Sequence, residues 1–364
     1  MRAARLDDFD ALDALVAAVQ TNCHIADARH AADLSLCIYL LQMREFYRWE
    51  QGLAFGAALD RQAVGRWLTE REALWSGLEA RPFAPLPLAG QMFDPLDTDA
   101  LNAALAPLGL VYGAGLASRD RPGFFLAQRE PMQARSDGLV LQVCGRELAR
   151  GLFAPPAALV GGQTVVLRRE SLARWLWEKF EAFSLRHAEG PFKALVDHYG
   201  LRDAPSFVAA LPRLVDDQCE TLILHEVGEH RAGQWLEPGW AAMRLALAHR
   251  RTDLLVRAVR DHIADLEVTL PTLLDRGDAP AMHFWFANHD GHRERLFPTL
   301  ACAYGAWRGG DEGVALRRTA YAGARHFRRL AEQVLALHRQ QGDAAEAAIE
   351  RLLSAPASVC VMAD

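Results

Sequence analysis

From Arg168 to about Leu353 apolar residues recur every three or four positions, a period that only helices use to build a continuous buried face. The pattern is broken at Gly190-Pro191-Phe192, Gly200 to Pro205, Pro238-Gly239, Arg276 to Pro280 and Trp307 to Asp311. Such short interruptions make successive helices antiparallel neighbours. No fixed-period self-similarity joins the segments, which argues against a helical solenoid.

The N-terminal part is also helical in pattern. A first amphipathic segment starts near Asp10, a polar junction covers Thr21 to Arg29, and a long apolar helix ends near Gly52, with a third helix after Asp60. Pro82, Pro85, Pro87, Pro95 and Pro107 then exclude any long helix. Leu110 to Leu116, Phe124 to Arg129, Leu139 to Val143 and Thr164 to Leu167 alternate or carry β-branched residues, and turn signals separate them at Arg121-Pro122-Gly123, Ser136-Asp137-Gly138 and Gly161-Gly162. The expected fold is mainly α, a multi-helix bundle-like array with a small antiparallel β insertion. Its parts are N-terminal helices over 1–80, a Pro/Gly-rich connector and small sheet over 81–168, a C-terminal helical array over 169–354 packing with the N-terminal helices, and a loose tail over 355–364.

With 364 residues, half of them apolar, the chain can cover one large core or two ordinary ones. A net charge of -6 without clustered excess cation argues against nucleic acid or an anionic membrane as partner. Arginine carries nearly all the positive charge, lysine occurring only at Lys179 and Lys193. Met1 to Leu15 contains Asp7, Asp8, Asp10 and Asp13 and lacks the apolar centre of a secretory signal, and no run is long and apolar enough to span a bilayer. The six cysteines form no CxxC pair, which disfavours a zinc ribbon, a redox dithiol or a disulfide scaffold and fits a reducing cytoplasm.

Chemistry concentrates in the run Glu220 to His230, which places Glu220, His225, Glu226, Glu229 and His230 in a segment otherwise reading as a buried helix capped by Asp203 or Ser206. Isolated charges in such a place cost several kcal/mol each unless paired, protonated or bound to a metal. At 100° per residue, His225, Glu226, Glu229 and His230 occupy an arc of about 140° and can address one volume. Gly228 lies among them and points to close approach of another backbone or a bound group. The run matches neither HExxH nor the inverted protease motif, and the Glu-x-x-His pair of helical di-metal proteins is absent. His225, Glu226 and Glu229 still form an imidazole and carboxylate set suited to iron, manganese or zinc. Arginine pairing of Glu226 and Glu229 in a core network is the competing reading.

Further ligand candidates are Asp27 and His30, one turn apart in Cys23 to His30, with Asp27 also readable as the N-cap of the long helix. His262 and Asp265 are the next candidates, Asp261 sharing the flank of Asp265 at one-turn spacing, although a hydrogen-bonded helix flank is the plainer reading. Glu45 points inward and is expected to pair with arginine. Gly113-Ala114-Gly115 lacks the third glycine and following helix of a dinucleotide site, and no P-loop or GxSxG elbow occurs, so no nucleotide cofactor is expected.

At Cys23-His-Ile-Ala-Asp-Ala-Arg-His30, Arg44-Glu-Phe-Tyr-Arg-Trp-Glu50 and Glu220-Thr-Leu-Ile-Leu-His-Glu226 the chain resembles, over nearly its whole length, a bacterial protein family with no assigned activity. The resemblance implies a bacterial cytosolic protein and carries across no functional residue. The residues themselves lead to a helical metal-binding protein, expected as a non-haem iron or manganese oxidoreductase acting on a small molecule, with His225 and Glu226 as catalytic groups. A metal site would be completed by Asp27, His30, His262 or Asp265. Hydrolysis is the less favoured chemistry, and a non-enzymatic helical binding protein with a buried arginine–carboxylate network is the alternative. Substrate and oligomeric state are left open.

Overall fold

The computed structural model describes residues 6–118, 121–135, 138–356 and 360. Helix α1 (Leu6–His30) runs unbroken through the expected polar junction. Its polar groups there are buried against distant backbone: Asn22 exchanges two hydrogen bonds with Ala84 (2.9 and 2.7 Å), and Asp27 accepts from the Leu152 amide (3.0 and 2.9 Å). The chain turns only after His30. Ser35, not Asp27, caps α2 (Leu36–Glu50) by accepting from the Ile38 amide, and Asp60 caps α3 (Arg61–Ser76).

A small hairpin of β1 (Leu86–Leu88) and β2 (Gln91–Phe93) and a short α4 (Thr98–Leu105) lead into the main sheet. This comprises β3 (Leu110–Ser118), β4 (Arg121–Arg129), β5 (Gln133–Ala134), β6 (Val140–Arg150), β7 (Ala157–Val160) and β8 (Thr164–Arg168). The spatial order is β3-β4-β6-β8-β7, with β5 on β6. The sheet is therefore neither small nor purely antiparallel, since β6 and β8 pair in parallel from Val140↔Thr164 to Cys144↔Arg168. The reason is the β7–β8 hairpin over Gly161 and Gly162, both at positive φ, which inserts β8 between β6 and β7. Of the expected turn at Ser136-Asp137-Gly138, the first two residues lie outside the described ones.

Among the described residues, helices follow without further strands: α5 (Arg169–Arg186), α6 (Pro191–His198), α7 (Ala204–Leu236), α8 (Gly239–Ala246), α9 (Arg250–Ala264), α10 (Leu270–Arg276), α11 (Ala279–Ala287), α12 (Gly291–Leu296), α13 (Thr299–Arg308), α14 (Val314–Gln341) and α15 (Glu346–Ser354). The molecule is mainly α, and the proline and glycine breaks fall where the sequence places them. A capping box between Asp203 and Ser206 starts α7. Between α9 and α10 the helix continues through one π turn, Asp265–Thr269. Pro271 lacks an amide and its ring would crowd the Glu267 carbonyl in regular α geometry, and the wider turn relieves that clash.

The largest core cluster joins Leu139, Val143 and Leu167 of the sheet to Trp177, Phe207, Ile223, Trp240 and Phe327 of the helices. A second cluster buries Leu15, Val19 and Cys23 of α1 against Leu86, Tyr112, Phe124 and Leu126. Of the expected loose tail, Cys360 is buried and its amide donates to the Leu296 carbonyl at 2.8 Å, while 357–359 and 361–364 lie outside the described residues. Among the described residues no helix is long and apolar enough to cross a membrane.

Candidate metal centre on the central helix

Helices α7 and α9 meet backbone to backbone at Gly228. A Cβ there would lie 2.4 Å from the Ala264 carbonyl oxygen, so only glycine permits the crossing, and its partner is another backbone. This contact carries His225, Glu226 and Glu229 against Asp261 and Asp265 at the end of α9. His225 Nδ1 lies 2.8 Å from Asp265 Oδ1, and Asp265 Oδ2 also takes Arg293 Nη1 at 3.3 Å. His225, Glu229 and Asp261 each offer a donor atom, all within 4.8 Å of one another. An ion bonded at about 2.0–2.2 Å holds its donors no more than about 4.4 Å apart, so donors near that limit would draw together on binding.

The group is partly open: the His225 and Glu229 side chains keep 26% and 19% of their exposure. Arg260 pairs its Nε with Glu229 Oε2 at 2.7 Å and its Nη1 with Glu237 at 3.0 Å. Glu226 is buried beside β7, where the Leu159 backbone favours its ionised form. Four carboxylates thus meet two arginines and one imidazole, and their titration reflects the surplus. Burial opposes the His225 charge, but Asp265, its hydrogen bond and the fields of Glu226 and Asp261 outweigh it and push the ring up to about 10. Burial likewise raises Asp265, yet His225 and Arg293 prevail and hold it well below the carboxylate range. Burial, reinforced by Glu229 and Asp261, pushes Glu226 up to about 7. Burial also raises Glu229, against the pull of Arg260.

With Nδ1 held by Asp265, Nε2 is the ring atom left for a ligand. A carboxylate behind the imidazole is the arrangement that fixes the tautomer of metal-binding histidines. A cation among these donors would replace the proton on His225 and relieve the repulsion that raises Glu226 and Glu229.

Of the residues singled out from the sequence, the structure brings together His225, Glu226, Glu229 and Asp265. It leaves out Asp27, His30, His262, His230 and Glu45. Asp27 and His30 line a separate small cavity with Cys23, Phe124 and Phe153, where Asp27 binds the Leu152 amide. His262 is fully buried, stacks on Phe327 (ring centroids 4.1 Å apart) and donates from Nε2 to the Arg293 carbonyl at 3.0 Å, and burial holds it neutral. His230 turns to the β7–β8 hairpin and donates to the Gly162 carbonyl at 2.7 Å. Glu45 pairs with Arg48 (3.1 Å) and Arg44 (3.3 Å). Asp261 enters the cluster in place of His262. Its one-turn spacing from Asp265 was the signal, and its position beside the apolar stripe hid it.

Fold and site together define a helical protein built on a mixed sheet, with a histidine–carboxylate cluster where two core helices cross. Residues 14–168 match the N-terminal domain, and residues 173–356 the C-terminal domain, of a family of unknown function (DUF6866), and the chain belongs to that family. No curated protein and no solved structure matches it.

Proposed function

We propose that the protein binds a divalent first-row metal, iron or manganese ahead of zinc, through His225, Glu229 and Asp261, and uses it in the oxidation of a small molecule. The observation that supports this is the convergence of these three donors within 4.8 Å, with the His225 ring held from behind by Asp265. One nitrogen and two oxygen donors suit iron and manganese better than copper. Three protein ligands leave coordination positions for a substrate, at which the bound metal would supply redox or Lewis-acid chemistry. Glu226, beside His225 on α7, is the carboxylate that would carry a proton to or from a substrate. His225 binds as the neutral ring, and Asp265 fixes its orientation.

A second reading draws on the same neighbourhood. Arg260 bridges Glu229 and Glu237, and Arg293 holds Asp265, which favours a non-enzymatic binding protein whose carboxylates are a paired core network. Metal analysis after anaerobic reconstitution with Fe(II), Mn(II) or Zn(II) separates the two. The metal reading expects one ion per chain, lost in His225→Ala and Asp261→Asn with the circular dichroism unchanged, and an affinity weakened roughly 10- to 100-fold in Asp265→Asn. Folded wild-type protein that retains none of the three metals supports the network instead.

A further inference from the structure

The cluster on α7 leaves a second concentration of charge unused. Between α1, α2, β6 and α5 lies a cavity of about 740 Å³, a size suited to a small molecule. Glu45, Arg48, Trp49 and Glu50 of α2 border it, and Arg150 from the end of β6 forms part of its wall.

Arg150 is 1% exposed, yet its guanidinium makes no hydrogen bond to any described residue, and its buried Nε is without a partner. Its pairing with Glu147 is long, 3.9 Å, and it otherwise lies over the Trp49 ring at 4.7 Å. Glu147 accepts at Oε1 from Arg168 (2.9 Å) and Ser171 (2.7 Å), and its Oε2, which has no hydrogen-bond partner among the described residues, faces Arg150 only across that 3.9 Å gap. The other inward carboxylates at this cavity are engaged too: Glu45 by Arg48, Glu50 by Arg71, and Glu170 by the Glu147 amide. Arg174 adds a second cation, its Nη atoms donating to the Leu152 and Ala154 carbonyls and its Nη1 pairing with Glu178 at 3.4 Å, while its Nε is left over.

A buried guanidinium without hydrogen-bonded counter-charge is costly, and the group that best satisfies its planar fork is a carboxylate or phosphate. Burial, with Arg174 adding to it, pushes the Arg150 pKa down to about 9, the direction expected of a cation short of an anion. The wall also has an apolar part, Val16, Leu53 and Phe55.

We propose that this cavity is a binding site for a small organic oxyanion, a carboxylate or a phosphate monoester, whose head group pairs with Arg150 and whose body lies against Val16, Leu53 and Phe55. The site is independent of the metal centre. Calorimetric titration of the full chain with succinate and, separately, with glycerol 3-phosphate tests it and distinguishes the two chemistries. One of the probes should bind saturably at one per chain, and Arg150→Gln should weaken that binding by about tenfold or more, as expected for loss of a charge-assisted hydrogen-bonded pair. Leu53→Glu, an exposed position at the rim, adds repulsion without touching the core and should also weaken it, which keeps the test open if Arg150→Gln does not fold. Binding should persist in His225→Ala. Failure of both probes at millimolar concentration, equal affinity in Arg150→Gln or Leu53→Glu, or loss in His225→Ala would overturn the proposal.

Discussion

Asp27 and Asp265 are both buried aspartates, at 2% and 1% exposure, and their surroundings drive them in opposite directions. Asp265 sits between His225 and Arg293 and is held ionised. Asp27 accepts from the Leu152 amide and feels Arg71, Arg150 and Arg174, but burial prevails and pushes it up to about 7. A carboxyl whose folded value is raised stabilises the protein fully below its ordinary value, and that contribution is lost as pH rises through the folded value. Relative to Asp27→Asn, which mimics the protonated form, the wild type should lose up to roughly 4 kcal/mol between about pH 4 and pH 7. Urea unfolding of both proteins across that range measures the difference, and a difference that does not vary with pH contradicts the assignment. The sequence shows both residues as aspartates near histidines. It does not show which one will meet a cation, because their partners are from 28 to 125 residues away.

At the scale of elements, the proline and glycine breaks between helices are legible because each acts locally, on its own turn. The crossing of α7 and α9 is legible only in part. Gly228 announces a close approach, but the identity of the partner, Ala264, depends on the packing of two helices. Adding one methyl group as Gly228→Ala forces the helices apart, with an expected loss of about 1–3 kcal/mol from overpacking, read by chemical denaturation. The same change should move Asp261 and Asp265 away from His225 and lower metal affinity. Unchanged stability would show that the crossing is looser than drawn. Strand β6 was harder to see past Val143, since Arg146, Glu147 and Arg150 resemble a solvated loop, and three of its charged groups do not all reach solvent: Glu147 and Arg150 are buried. Strand β7 is four residues long behind Pro155-Pro156, too short to register, and without it the parallel pairing of β6 and β8 has no route.

For the molecule as a whole, the core does not stop where the two family domains meet. Leu139, Val143, Val165 and Leu167 of the sheet lie in the same apolar cluster as the C-terminal helices, and His230 of α7 donates to the Gly162 carbonyl in the β7–β8 hairpin. Residues 173–356 expressed alone should therefore expose that apolar surface, bind a hydrophobic dye and lose cooperative unfolding, whereas the whole chain should unfold in one calorimetric transition. Two separate transitions in the whole chain would contradict a shared core. Metal binding at the crossing of α7 and α9 is tested by anomalous X-ray scattering at the manganese or iron edge on crystals of the reconstituted chain. A single peak is expected between His225, Glu229 and Asp261, at bonds of about 2.0–2.2 Å. No peak there, with Arg260 still bound to Glu229 and His225 to Asp265, would contradict it.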